Sequence, residues 1–171
     1  MGTPEFSVPI LENLLNNNYK ISAVYSQPAS KANRGQKINP SAIEILSKKQ
    51  SLNLRTPTTL NNDLEFNFLK NLKPDIVIVA AYGKIIPKKF LILAKYGFIN
   101  VHASLLPKWR GAAPIQRSIM NLDKETGISI MKIVEELDSG PVMFQKKVNI
   151  DESMSSSNLS SILSKSASGI I

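Results

Sequence analysis

One histidine and no cysteine among 171 residues leave a narrow range of chemistry open. No thiol nucleophile, disulfide framework or cysteine-based zinc site can be built. A single imidazole cannot make a multi-histidine metal centre either. That imidazole is His102, a side-chain type that ordinarily exchanges a proton near neutral pH, and it stands in Gly97-Phe98-Ile99-Asn100-Val101-His102. Side chains alternate along a strand, so Asn100 and His102 share one face and Ile99 and Val101 the other. Polar residues at the C-terminal end of a strand fit a ligand site in an α/β sheet. They fit equally a hydrogen-bonded core amide beside a half-exposed imidazole. Ala103-Ser104-Leu105-Leu106-Pro107 then leaves the strand, and Lys108-Trp109-Arg110-Gly111-Ala112-Ala113-Pro114 leads into a helix over 113–120. An apolar Leu-Leu-Pro turn and the only tryptophan beside the only histidine resemble a pocket wall with a few polar groups at one end. Asp138, taken alone, reads as a turn former before Ser139-Gly140-Pro141.

The elements that must position these residues alternate in type. Apolar spacing predicts helices over 4–17, 41–49 and 63–72, the second opened by a capping box of Ser41 and Glu44. Short strands are expected over 21–25 and 52–54. The run Asp75-Ile-Val-Ile-Val-Ala-Ala81 is β-branched without alternation, as in a strand covered on both faces. A short helix over 87–93 separates it from the strand 97–102. Strands alternating with helices imply a parallel α/β sheet. The runs 126–134 and 142–150, joined by a turn, predict an antiparallel hairpin at the far edge. A serine-rich stretch then opens a last helix running toward Ile171. Residues 27–40 form a long polar loop, of the kind that is often functional.

The length suggests one domain. The longest apolar run, from Ile76 to Tyr82, is far short of a membrane helix, and the N-terminus lacks the regions of a signal peptide. A cytoplasmic protein is the expectation. The net charge of +8 fits either a solubilising surface or attraction to a polyanion. Lys31, Arg34 and Lys37 cluster in the polar loop, and Lys108, Arg110 and Arg117 follow the strand that carries His102.

The segment Asn100-Val-His102-Ala-Ser-Leu-Leu-Pro-Lys-Trp-Arg-Gly-Ala-Ala-Pro-Ile-Gln116 resembles the signature of the folate-dependent formyltransferase family. Gly2-Thr3-Pro4-Glu5-Phe6 resembles the family's opening motif, and Gln27-Pro28, Arg34-Gly35 and Pro40-Ser41 resemble its inserted loop. Ala81-Tyr82-Gly83 with Ile86-Pro87, and Leu137-Asp138-Ser139-Gly140, fit in the same order. Ser-Leu-Leu-Pro is shared with members acting on glycinamide ribonucleotide and on amino sugars. The continuation from Trp109 to Gln116 favours the branch that formylates methionyl-tRNA.

The resemblance implies a Rossmann-like, mostly parallel sheet with flanking helices and an antiparallel hairpin at one edge. It implies transfer of a formyl group from 10-formyltetrahydrofolate to the α-amino group of initiator methionyl-tRNA through a tetrahedral intermediate. On that reading Asn100 donates to the oxyanion, His102 moves protons and steadies the charge, and Asp138 holds the imidazole. Ser104, Leu105, Leu106 and Pro107 would line the folate site, and Arg34 and Lys37 would contact tRNA. No metal is needed, and a monomer is expected. The family has a buried strand before Gly-Thr-Pro and a C-terminal β-barrel domain. Residues 1–171 therefore read as a catalytic domain lacking its first strand and that barrel, with weak or absent activity. The competing readings are a formyltransferase acting on a small amine, such as a ribonucleotide or amino sugar, and an inactive fragment.

Overall fold

The computed structural model describes residues 1–32 and 37–171. A four-stranded sheet forms its centre, in the order β5 (Val77–Ala80), β6 (Phe98–His102), β7 (Glu125–Lys132), β8 (Val142–Asn149). β5 and β6 run parallel, with Val79 opposite Asn100. β7 is antiparallel to both neighbours, so the expected edge hairpin is present. A second parallel pair joins β1 (Val24–Tyr25) to β4 (Leu54–Arg55). Met1 and Gly2 connect the two sheets: the Gly2 amide donates to the Tyr25 carbonyl at 2.9 Å, and the Ala80 amide donates to the Met1 carbonyl at 2.9 Å. Next to this bridge an apolar cleft opens between β1 and β5, lined by Ile10, Leu14, Ala23, Leu69 and Ile78.

Both faces of the sheet are covered at β5 and β6, which is why β5 carries no polar residue. Val77 and Val79 pack with Phe98 against α3 (Asp63–Leu72) and the single turn around Phe90. Ile78 and Ala80, with Ile99, Val101, Ile128 and Ile130, pack on the other face against α1 (Val8–Asn16) and α5 (Ser156–Ser168). Burying each such aliphatic or aromatic side chain contributes roughly 1.5–3 kcal/mol. Phe98, Asn100 and His102 share one face of β6, so the two polar residues continue the α3-side face where the apolar packing ends.

The helices with strong local signals match their expected spans. α2 (Ala42–Lys49) is capped by Ser41, whose Oγ accepts from the Glu44 amide at 3.0 Å. The carboxylate of Glu44 completes no capping box and pairs with Lys48 one turn on, at 2.7 Å. α3 opens on Asn62, whose side chain accepts from the Glu65 amide at 2.8 Å. Other segments differ. The helix expected from residue 4 starts as a tight turn over Glu5–Ser7, and the one expected over 87–93 is a single turn, Lys88–Phe90. Only Val24 and Tyr25 of the first strand are laddered, because β4 runs beside them for two residues. The polar loop contains an antiparallel ribbon of β2 (Ser30–Ala32) and β3 (Lys37–Asn39). α4 (Pro114–Met120) begins at Pro114, where a missing N–H costs nothing. No helix among the described residues is long and apolar enough to cross a membrane.

Candidate active site

His102 ends β6 and is 6% exposed. Its Nε2 lies 2.9 Å from the carbonyl oxygen of Trp109, and its Nδ1 lies 3.5 Å from Asp138 Oδ2. Asn100 Nδ2 donates to Asp138 Oδ1 at 3.2 Å, and the Gly111 amide donates to Asp138 Oδ2 at 2.8 Å. The turn after β7 thus returns a carboxylate to the end of β6, 38 residues away in sequence. One amide hydrogen of Asn100 is engaged by this carboxylate, and the amide carries a second.

Backbone geometry supports the placement. Trp109, Ala113 and Asp138 all have positive φ, at 58°, 56° and 44°, and Gly111 sits at 85°. The Gly111 value is one that L side chains rarely adopt, and it is what turns the amide toward Asp138.

Ser104 to Pro107 leave β6 as a pinned turn. Ser129 stands opposite His102 across the β6–β7 ladder, and Gln145 stands opposite Ser129 on β8. The Ser129 hydroxyl donates to the Ser104 carbonyl at 2.6 Å and accepts from the Leu106 amide at 3.0 Å. Gln145 Nε2 donates to Ser129 Oγ at 2.8 Å and to the Leu106 carbonyl at 2.9 Å. Ser104 is buried, and its Oγ donates to the Lys108 carbonyl. Leu106 points into the core, Leu105 is half-buried and Pro107 is exposed. Of the four residues expected to line a folate site, Leu105 and Pro107 therefore have the more accessible side chains.

A second carboxylate braces the same loop. Asp123 accepts from Trp109 Nε1, Lys108 Nζ and Asn121 Nδ2, each at 2.7 Å. Burial alone would raise its pKa, yet the donors Lys108, Asn121 and Trp109 outweigh burial and hold the carboxyl below its ordinary value. Two further motifs meet near the end of β5, where the Tyr82 carbonyl accepts from Thr3 Oγ1 and Gln27 Nε2, both at 2.9 Å. The Tyr82 ring is buried, and burial pushes its phenol up to about 12, so it stays neutral. Arg34 lies outside the described residues. Lys37 is described only as the first backbone position of β3.

Asn100, His102 and Asp138 are thus brought together, as are the Gly-Thr-Pro, Gln-Pro and Tyr-Gly motifs. Sequence reasoning did not find Ser129, Gln145 or Asp123. Ser129 carried a signal, a hydroxyl between Ile128 and Ile130 in a doubly covered strand. Asp123 lies between the expected helix 113–120 and the strand from 126, where an aspartate carries no distinguishing signal.

The profile of the formyl transferase family matches residues 1–171. The chain is 60% identical over 169 residues to a methionyl-tRNA formyltransferase of Pelagibacter ubique (strain HTCC1062), covering 98% of this chain and 54% of that protein. It is 47% identical over 165 residues to a methionyl-tRNA formyltransferase of Bartonella henselae (strain ATCC 49882 / DSM 28221 / CCUG 30454 / Houston 1), covering 96% and 53%. The chain spans about half the length of the curated relatives it matches. Among solved structures, a phosphoribosylglycinamide formyltransferase from Bacillus halodurans shares the fold. Its TM-score is 0.78 at 19% identity, with 99% of this chain and 87% of that one covered. This chain belongs to the formyl transferase family.

Proposed function

We propose that the chain carries the site that transfers a formyl group from 10-formyltetrahydrofolate to the α-amino group of initiator methionyl-tRNA. The observation that carries this reading is the convergence of Asn100, His102 and Asp138 on one point at the end of β6. Relatives named for that activity at up to 60% identity support it.

The chemistry follows from what these groups can donate and accept. The amine lone pair attacks the formyl carbon, and the carbonyl π pair becomes an oxyanion. The free amide hydrogen of Asn100 stabilises that charge; a well-aimed donor is worth roughly 3–4 kcal/mol in such sites. The attacking nitrogen becomes cationic and must lose a proton, while the folate nitrogen must gain one before it departs. His102 takes the first proton and returns it to the leaving nitrogen. Asp138 steadies the ring while it is charged. Collapse of the oxyanion breaks the C–N bond to tetrahydrofolate, so no group on the protein is consumed.

The turn Ser104 to Pro107 offers the folate its wall through backbone groups and the Leu105 side chain. The ribbon of β2 and β3 reaches toward the tRNA acceptor end, with Arg34 and Lys37 as phosphate or base contacts. The donor is thus of the folate type and no metal takes part. The protein acts in the cytoplasm as a monomer.

The test supplies labelled 10-formyltetrahydrofolate with three acceptors: methionyl-tRNA, glycinamide ribonucleotide and an amino sugar nucleotide. Formylation of methionyl-tRNA above the other two is expected. Preference for a small amine overturns the choice of acceptor. Transfer to none, with labelled folate bound, overturns the assignment of the activity to this chain.

A further inference from the structure

We propose that Asp123 is a positioning residue for this transfer, acting through Trp109 to fix which nitrogen of His102 carries the ring proton. The proposal rests on the reading of His102 as the proton carrier. It concerns a carboxylate that touches neither His102 nor Asp138.

A carbonyl oxygen can only accept a hydrogen bond. The Trp109 carbonyl, 2.9 Å from Nε2, therefore requires the proton on Nε2. The other nitrogen, Nδ1, then turns its lone pair toward the Asp138 carboxylate 3.5 Å away. Left alone, the ring would choose the opposite arrangement, because a carboxylate is a stronger acceptor than a peptide carbonyl. The Trp109 carbonyl overrides that choice by being held in place, and this leaves Nδ1 as the nitrogen free to accept the amine proton.

What holds the carbonyl is Asp123. Trp109 has φ +58°, a conformation that costs a bulky residue energy and is kept only when its surroundings enforce it. The indole Nε1 donates to Asp123 Oδ2, and the preceding residue's ammonium donates to Oδ1, both at 2.7 Å. Asn121 adds a third donor, also to Oδ1. The Asp123 side chain is only 5% exposed, a costly place for a carboxylate unless its partners compensate. A turn between a helix and a strand has no need of such a group. Its bond to the indole fixes the residue that carries the carbonyl, and that is the function the geometry assigns to it; the exposed Lys108 ammonium only compensates the charge.

The chain has one histidine, so its ring nitrogens can be read without assignment in a two-bond ¹⁵N–¹H correlation spectrum of labelled protein. On the alkaline side of the ring's titration, the unaltered protein should show Nε2 protonated and Nδ1 bare. Trp109→Phe removes the indole donor and keeps a ring, and Asp123→Asn removes the charge. In both, the Nδ1-protonated form should rise from a minor species to the major one. Lys108→Met removes an exposed ammonium, keeps the indole bond and should leave the pattern unchanged. In the transfer assay, Trp109→Phe should lower kcat about tenfold or more, up to the roughly 10²- to 10⁴-fold that general acid–base catalysis supplies, with little change in the KM for folate.

Unaltered protein already protonated at Nδ1 overturns the proposal. So does a wild-type pattern in Trp109→Phe, which decides the matter should Asp123→Asn fail to fold. An equal shift in Lys108→Met also overturns it, since the indole link would then not be the cause. The spectra need no activity, so a tautomer shift in a protein that transfers no formyl group would count against the proposed function and not against the positioning by Asp123.

Discussion

Replacing Ser129 with alanine tests the link between the sheet and the turn beside His102. The Ser129 hydroxyl uses its full capacity: it donates to the Ser104 carbonyl and accepts from the Leu106 amide and from Gln145. The residue is fully buried, so water cannot replace it without entering the core. Gln145 can keep its bond to the Leu106 carbonyl, but the Leu106 N–H and the Ser104 carbonyl lose their partners. Each buried group left unpaired costs about 1–3 kcal/mol, so Ser129→Ala should destabilise by about 2–4 kcal/mol once partial relaxation is allowed. In a domain of this size that lowers the thermal midpoint by roughly 4–16 °C. The turn would also lose its fixed shape, so the KM for 10-formyltetrahydrofolate should rise while kcat changes less. Thermal melts followed by circular dichroism, with steady-state kinetics at varied folate, read both effects. A melting shift below about 2 °C would refute the accounting, because an orphaned buried amide cannot cost so little. A lower kcat at unchanged KM would refute the role of the turn in holding folate.

The other predictions concern the site's neighbours and the core. Asp138→Asn keeps one acceptor oxygen where two are used by Asn100 and Gly111, so the initial rate of formyl transfer should fall by about 10²-fold or more. Turnover near that of the unaltered enzyme would remove Asp138 from its role. Gly111→Ala would place its new Cβ 3.5 Å from Leu137 Cδ2, an ordinary contact, but at a φ of +85°. The backbone strain alone should cost about 1–2 kcal/mol in urea titrations, and no loss would show that the turn adapts freely. Arg55 donates to both oxygens of the buried Glu65, with Nε at 2.8 Å. That bond, against burial, holds the Glu65 carboxyl below its ordinary value. A carboxylate with a lowered folded pKa contributes its stability above the unfolded value and loses it as pH falls through the folded one. The urea midpoint should therefore drop on acidification below about pH 4.5, and less steeply in Glu65→Gln. Parallel curves for the two proteins would deny the ion pair its share.

Much of the framework was legible because its signals are local. The cap at Ser41 and the apolar spacing over 63–72 fix two helices within a few residues of chain, and the apolar run 76–81 announces a strand covered on both sides. The alternation of Asn100 and His102 with Ile99 and Val101 put two polar residues on one face of a strand end, and the family resemblance made a candidate site of them. What the chain hides is convergence. Asp138 sits in a turn that any Asp-Ser-Gly would make, and only the antiparallel return of β7 carries it to Asn100; the family resemblance, not its spacing, singled it out. Gln145 lies on an exposed edge strand, where a glutamine is unremarkable until the Leu106 carbonyl beneath it is known. The ribbon of β2 and β3 escaped notice because three-residue strands in a polar segment leave no apolar period to read.

Backbone strain and hydrogen bonding coincide at this site for a physical reason. Four of the positive-φ residues other than glycine, Asn18, Ser51, Lys73 and Leu122, directly follow or closely trail the ends of α1, α2, α3 and α4. There a left-handed residue is an ordinary way to stop a helix. Ala81, Trp109, Ala113 and Asp138 end no helix: Ala81 directly follows β5, Trp109 and Ala113 lie in the loop between β6 and α4, and Asp138 lies in the turn between β7 and β8. Each costs about 1–3 kcal/mol unless the surroundings over-determine it. For two of them, Asp138 and Trp109, the bonds that do so tie the candidate site together: Asp138 to Gly111 and Asn100, and Trp109 to Asp123 and His102. The energy that folding supplies elsewhere, in the two apolar layers against β5 to β7, is thus retained here as a fixed arrangement of donors and acceptors. On the proposed function, a site set in this way needs little reorganisation to meet its substrate, and reorganisation avoided at the moment of reaction lowers a barrier in which charge develops on oxygen.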